Sequence, residues 1–194
     1  MAWLVDFALV VALASALAVL TFQRISALVT DVPELAARGG FDLLTSRGDV
    51  VDASEGLGLS LWDKSVLYVE QAFGLLIVAT FLYQWVCLAL AGRTVGKALT
   101  GLKVTPRMPG RAALRAAVTT ATDVAVYAVA CVLLVEGQIA LSVLVWAVAV
   151  ALFLFNALPV LGPARRSLAD RVAGTAVTGL GLSRPDATHP VRTA

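Results

Sequence analysis

The chain has 194 residues, of which 59% are hydrophobic and 14% are charged, and its mean hydropathy is +0.87. Soluble domains carry about 25% charged residues, so the composition excludes an ordinary soluble protein and indicates one that spans a membrane. The net charge is only +2, but lysine and arginine are unevenly distributed along the chain, and this distribution predicts the topology.

Four stretches are long and apolar enough to cross a bilayer, which takes about 20 residues in a helix. Lipid offers no partners to free backbone groups, and these runs lack the alternation of barrel strands, so each stretch is predicted to be helical. The predicted fold class is an all-α membrane protein with four transmembrane helices arranged as two helix pairs. The predicted spans are residues 2–22, 66–91, 116–135 and 139–161.

The charges between these spans predict their orientation. The first connection, residues 23–65, holds seven acidic and four basic residues, whereas residues 92–115 hold six basic residues and no acid. Five more arginines follow the fourth span. Because lysine and arginine concentrate on the cytoplasmic side, residues 23–65 are predicted to form an outside loop and both termini to be cytoplasmic. Residues 1–178 then form the transmembrane domain, and residues 179–194 form a polar cytoplasmic tail.

Two short motifs follow the second and fourth spans and match each other over twelve positions without a gap. They read RTVGKALTGLKV from Arg93 and RSLADRVAGTAV from Arg166. Their equivalent placement predicts a duplicated two-helix unit, a parallel pseudo-repeat. Opposite charges at equivalent positions, Lys97 and Asp170, predict an ion pair between the motifs; the alternative is that both are solvated juxtamembrane charges.

The first motif also has glycines and a lysine in an order similar to a phosphate-binding loop. That loop needs four residues between its glycines and a Ser or Thr after its lysine. Here three residues separate Gly92 from Gly96, and Ala98 follows Lys97. The spacing therefore argues against nucleotide binding.

Taken together, AWLVDFALV, GRTVGKALTGLKV and NALPVLGPARRSLADRVAGTAV resemble the segments of bacterial RDD-family membrane proteins, over residues 2–178. The resemblance places the two family aspartates at Asp6 and Asp170. The arginine that usually precedes the first aspartate has no counterpart here, and a native N-terminus that begins further upstream would supply it. The family-motif residues are Arg93, Thr94, Gly96, Lys97, Gly101, Arg166, Asp170, Arg171, Gly174 and Thr175.

Acidic residues inside membrane helices are costly and call for a reason. Asp123 lies eight residues beyond Arg115, about 12 Å along a helix, and Thr119 shares its face. These residues, together with Asp6, are candidates to bind a proton, a monovalent cation or a polar solute. The alternative is that the acids fasten helices together by hydrogen bonds. Gln84 and Asn156 are candidate partners under either interpretation.

The sequence contains no Ser-His-Asp set, zinc motif, cysteine cluster or dinucleotide fingerprint. We therefore expect no enzymatic activity, no cofactor and no metal, and nothing indicates nucleic-acid binding. Two functions stay open for a multi-pass protein of the cytoplasmic membrane. The RDD resemblance and the intramembrane acids favour proton-coupled transport of a cation or small solute. The alternative is a scaffold or assembly factor, whose partners besides the lipid bilayer are a second copy or other membrane proteins.

Overall fold

Long helices account for most of the chain in the computed structural model, which describes residues 2–30, 50–105, 108–157 and 167–179. Four helical stretches are long and apolar enough to cross a membrane, as predicted. Arg166, the end of the predicted fourth span and residues 180–194 of the predicted tail lie outside the described residues.

The first two helices are much longer than the predicted spans. Helix α1 covers Ala2–Thr30, and α2 covers Val50–Val86 before it continues as a π-helical turn, Cys87–Ala91. The predicted outside loop is therefore helical at both ends. The spans were predicted from hydropathy, which shows where a segment stops being apolar but does not show where its helix ends. Helix α2 is about 55 Å long and therefore extends past a hydrocarbon core of about 30 Å. Arg24 lies over the ring of Tyr68, 5.8 Å from its centroid, so α1 and α2 stay packed near this end.

The third helical stretch is interrupted near its centre. It begins as α4, Pro109–Thr120, widens into a π-helical turn, Ala121–Ala125, and continues as α5, Val126–Val135. The fourth helix, α6, covers Ile139–Ala157. The third helix thus begins at Pro109, whereas the predicted span began at residue 116. The prediction began later because the residues before 116 include arginines, which are helical but not apolar.

The two sequence motifs form the same local elements. The first gives a short helix α3, Val95–Leu99, and strand β1, Leu102–Thr105; the second gives α7, Leu168–Ala173, and β2, Ala176–Gly179. The strands pair antiparallel, with Val104 opposite Val177. This pairing was not predicted. It brings both motifs to one end of the helix bundle, here called the motif end.

Alanines supply the tightest packing of the described bundle. Ala116, Ala130 and Ala149 are at most 1% exposed, and small residues of this kind let membrane helices approach closely. The Ser142 hydroxyl donates to the Ala130 carbonyl at 2.7 Å, which ties α6 to α5. By contrast, α1 has no buried residue, so its apolar side chains are available to lipid or to another helix.

Candidate functional site

The first polar cluster is centred on Asp6, near the start of α1. Its carboxylate accepts hydrogen bonds from the Thr94 hydroxyl at 2.6 Å, the Tyr83 hydroxyl at 2.9 Å and the Gly96 N–H at 2.9 Å. The Tyr83 hydroxyl also accepts a bond from the Val95 N–H at 3.2 Å. One carboxylate therefore connects α1, α2 and α3.

This cluster forms because α3 needs an acceptor at its N-terminus. Thr94 occupies the N-cap position, but its side chain makes no capping bond there. The Asp6 carboxylate takes over that role from another helix, and the partial positive charge of a helix N-terminus favours an anion. Gly96 permits the approach: a Cβ at this position would overlap the Ala2 carbonyl oxygen and touch the Asp6 carboxyl carbon.

The second cluster is a buried ion pair between Arg115 on α4 and Asp170 on α7. Arg115 also donates to the Thr175 hydroxyl at 3.0 Å, and this hydroxyl in turn lies 3.0 Å from Asp170 Oδ1. Ser167 and Asp170 form a reciprocal capping box at the start of α7. These contacts use both carboxylate oxygens, so Asp170 is fully engaged by neighbouring groups.

The predicted Lys97–Asp170 pair is wrong, because Asp170 has Arg115 as its cation. Arg115 reaches it because α4 packs directly along α7, whereas the lysine lies on α3, which packs on α1. Burial lowers the pKa of Lys97 to about 8; the charge of Arg115 lowers this pKa further, and Asp6 opposes the shift.

The titration of Lys97 provides a direct test of this environment. The Lys97 amine is expected to become half-reactive towards an acylating reagent near pH 8, whereas an ordinary lysine does so near about 10.4. Because the unfolded chain binds the proton more tightly, the Lys97 contribution should make the protein more stable as pH rises from about 8 to about 10.4. Peptide mapping by mass spectrometry measures the labelling, with a peptide of residues 93–104 as the reference. Equal midpoints in protein and peptide would contradict this half-buried placement.

The third cluster surrounds Asp123 in the π-helical turn of the third helix. The Thr122 hydroxyl lies 2.9 Å from Asp123 Oδ1, and the Asn156 amide nitrogen lies 3.4 Å from the same oxygen. Asn156 in turn accepts a bond from the Ala169 N–H at 3.3 Å. The cluster therefore links the third helix, α6 and α7 through neutral groups, at a turn type that is frequent at functional sites.

The structure brings together some of the predicted site residues and separates others. Asp123 and Asn156 meet as predicted partners, but the Thr119 hydroxyl donates to the Arg115 carbonyl at 3.0 Å instead. Among the described residues, Gln84 makes no side-chain hydrogen bond, and Asp6 and Asp123 belong to separate clusters.

The remaining motif residues have mainly structural positions. Gly101 and Gly174 end the two short helices with φ of 66° and 61°, a backbone conformation that favours glycine. Arg93 and Arg171 are exposed. The Tyr83 hydroxyl was missed as a site group, as was Arg115, although an arginine directly before an apolar span is itself a signal for a polar partner.

Four membrane-spanning helices with polar clusters at one end and within the third helix define a multi-pass membrane protein. The RDD family model matches residues 1–174, and the chain belongs to the RDD family. No curated protein and no solved structure matches the sequence.

Proposed function

We propose that this protein transports a monovalent cation or small solute coupled to protons across the cytoplasmic membrane, without catalysing a chemical reaction. The observation that carries the proposal is the setting of Asp123. It lies in a π-helical turn within a membrane-spanning helix, and its described partners are the neutral side chains of Thr122 and Asn156. An acid inside a membrane helix without a fixed counter-ion is suited to gain and lose a proton.

Comparison with Asp6 and Asp170 supports this choice. Asp6 accepts three hydrogen bonds of 2.6–2.9 Å, and Asp170 is paired with an arginine. Both carboxylates are therefore held by donors that the fold fixes in place. Asp123 has one short contact and one of 3.4 Å, and no described lysine or arginine forms an ion pair with it. Of these three acids, it is the one with the fewest fixed partners.

Hydrogen bonds from the neighbours of Asp123 connect a change in its protonation to other helices. Asn156 contacts Asp123 through its amide nitrogen and the Ala169 backbone through its carbonyl oxygen. Protonation of Asp123 removes the negative charge that the Asn156 amide faces. This change alters the hydrogen bond by which Asn156 connects α6 to α7. Because α7 also carries Asp170, the proton on Asp123 is coupled to the motif end. Four helices are few for a transport pathway, so we propose that a homo-oligomer forms it.

One observation favours the alternative function of a membrane scaffold or assembly factor. Helix α1 has no buried residue along its 29 residues, and several of its large apolar side chains, such as Leu20 and Phe22, are exposed and open to a partner helix. A scaffold would use this surface and would need none of the acids to titrate.

Proton flux in liposomes tests the transport proposal. With sodium or potassium pulses, the wild-type protein is expected to move protons, and Asp123→Asn is expected to abolish the flux, because an amide cannot carry the proton. The matched control is Asp63→Asn, which changes an exposed acid on α2 and should leave the flux unchanged. A folded wild-type protein without flux, which instead retains another membrane protein through purification, would favour the scaffold.

A further inference from the structure

Two threonine hydroxyls inside the helix bundle are buried without a hydrogen-bond partner. They belong to Thr80 on α2 and Thr120 at the end of α4. The two residues are 1% and 3% exposed. A buried hydroxyl that makes no hydrogen bond loses its interaction with water and gains nothing in exchange, so both side chains need an additional partner.

Other hydroxyls in these helices show what Thr80 and Thr120 do differently. They donate to the carbonyl oxygen four residues earlier, which satisfies a helical Ser or Thr without any tertiary contact. The side chains that do so include Ser15, Ser65, Thr119 and Thr122. The hydroxyls of Thr80 and Thr120 make no such bond.

The two threonines are equally far, counted in residues, from the ends of their helical stretches at the motif end. Thr80 is eleven residues from Ala91 at the end of the second helical stretch, and Thr120 is eleven residues from Pro109 at the start of the third. At 1.5 Å per residue, each is about 16 Å from the motif end. Helix α2 packs against both α4 and the π-helical turn. Both hydroxyls are thus on neighbouring elements.

The π-helical turn adds a further polar group near Thr120. Thr120 is the residue immediately before it, and Asp123 follows three residues later. Two neutral hydroxyls suit a small ligand that both donates and accepts hydrogen bonds, and buried water typically has two to four such partners.

We propose that Thr80 and Thr120 bind ordered water between α2 and the π-helical turn, and that this water carries protons between the motif end and Asp123. The first part stands on the two hydroxyls alone. The second part rests on the proposed transport function. The third helix is consistent with this route, because Thr120 lies on it between Pro109 at the motif end and Asp123.

Threonine-to-valine variants test the water site, since valine keeps the shape of the side chain and removes only the hydroxyl. If water binds there, Thr80→Val and Thr120→Val should each lower the apparent Tm of the reconstituted protein by about 2–4 °C. The control is Thr119→Val, whose hydroxyl bonds only its own helix, and its Tm should not change. A Tm for both test variants that equals or exceeds that of the wild type would overturn the proposal, because an unsatisfied hydroxyl is better replaced by a methyl group.

Water-edited solid-state NMR of the threonine-labelled protein in liposomes gives a second readout. Fast polarisation transfer from water to the Thr80 and Thr120 side chains is expected, and its absence would overturn the water site. Proton flux then decides the route: both valine variants should slow it severalfold, and unchanged flux would exclude the route. If the wild-type protein shows no flux, the transport function and the route fail together, whereas the Tm and NMR results still decide whether water is bound.

Discussion

Arg115→Met is expected to lower the free energy of unfolding by about 3–5 kcal/mol, the usual cost of removing one partner of a buried ion pair. Arg115 is 6% exposed and Asp170 is 4% exposed, so the methionine variant leaves a carboxylate with little access to water. Thr175 also loses the donor that it shares with the pair. Denaturant unfolding in mild detergent measures the loss through the fluorescence of the four tryptophans.

Arg111→Met is the matched control on the same helix. Arg111 is exposed, and its guanidinium donates to the Gly174 carbonyl at 3.2 Å, so its loss should cost less than about 1 kcal/mol. The double variant Arg115→Met with Asp170→Leu should recover much of the stability, because apolar replacements for a buried pair are often neutral. An Arg115→Met protein as stable as the Arg111→Met protein would contradict the buried pair.

Gly96→Ala is expected to destabilise the protein by about 3 kcal/mol, at the upper end of the cost of overpacking. The added methyl group meets the Ala2 carbonyl oxygen, which belongs to the backbone and cannot rotate away. Helix α1 would have to move, and this movement would lengthen the hydrogen bonds from α3 and Tyr83 to Asp6.

The control for this glycine is Gly74→Ala. Gly74 lies within α2 with nothing within 4 Å of an added Cβ, so alanine should stabilise the helix there by about 0.5–1 kcal/mol. Thermal unfolding of both variants measures the contrast. Similar Tm values for the two variants would show that α1 does not approach Gly96 as closely as the structure has it.

The helical class and the four spans were predictable because the length of an apolar run can be read from each segment of the sequence, without knowledge of its tertiary contacts. The ends of the helices were not, since residues 23–30 and 50–65 are helical without being continuously apolar. The pairing of the two strands and of the buried ions also escaped prediction. The pairing of Arg115 with Asp170 joins residues 55 positions apart, and charge at equivalent motif positions pointed to Lys97 instead.

The polar clusters were also only partly predictable, because the sequence does not show which distant groups contact each residue. Asp6, Asp123 and Asn156 stood out because polar groups in apolar segments are few. Whether an acid is fixed or free to titrate depends on its donors, which come from elsewhere in the chain. Asp6 acquires its donors from Tyr83 and the α3 backbone, and this required the structure.

The contacts between the two motifs can form only late during synthesis of the chain. Strand β2 and Asp170 belong to the last described segment of the chain, whereas β1 and Arg115 are made much earlier. At about 5–20 residues per second, the 55 residues between Arg115 and Asp170 take several seconds to translate. For that interval β1 has no partner strand, and the arginine must stay in water or at the headgroups. The insertion machinery therefore handles an open intermediate, which is completed only when the second motif emerges.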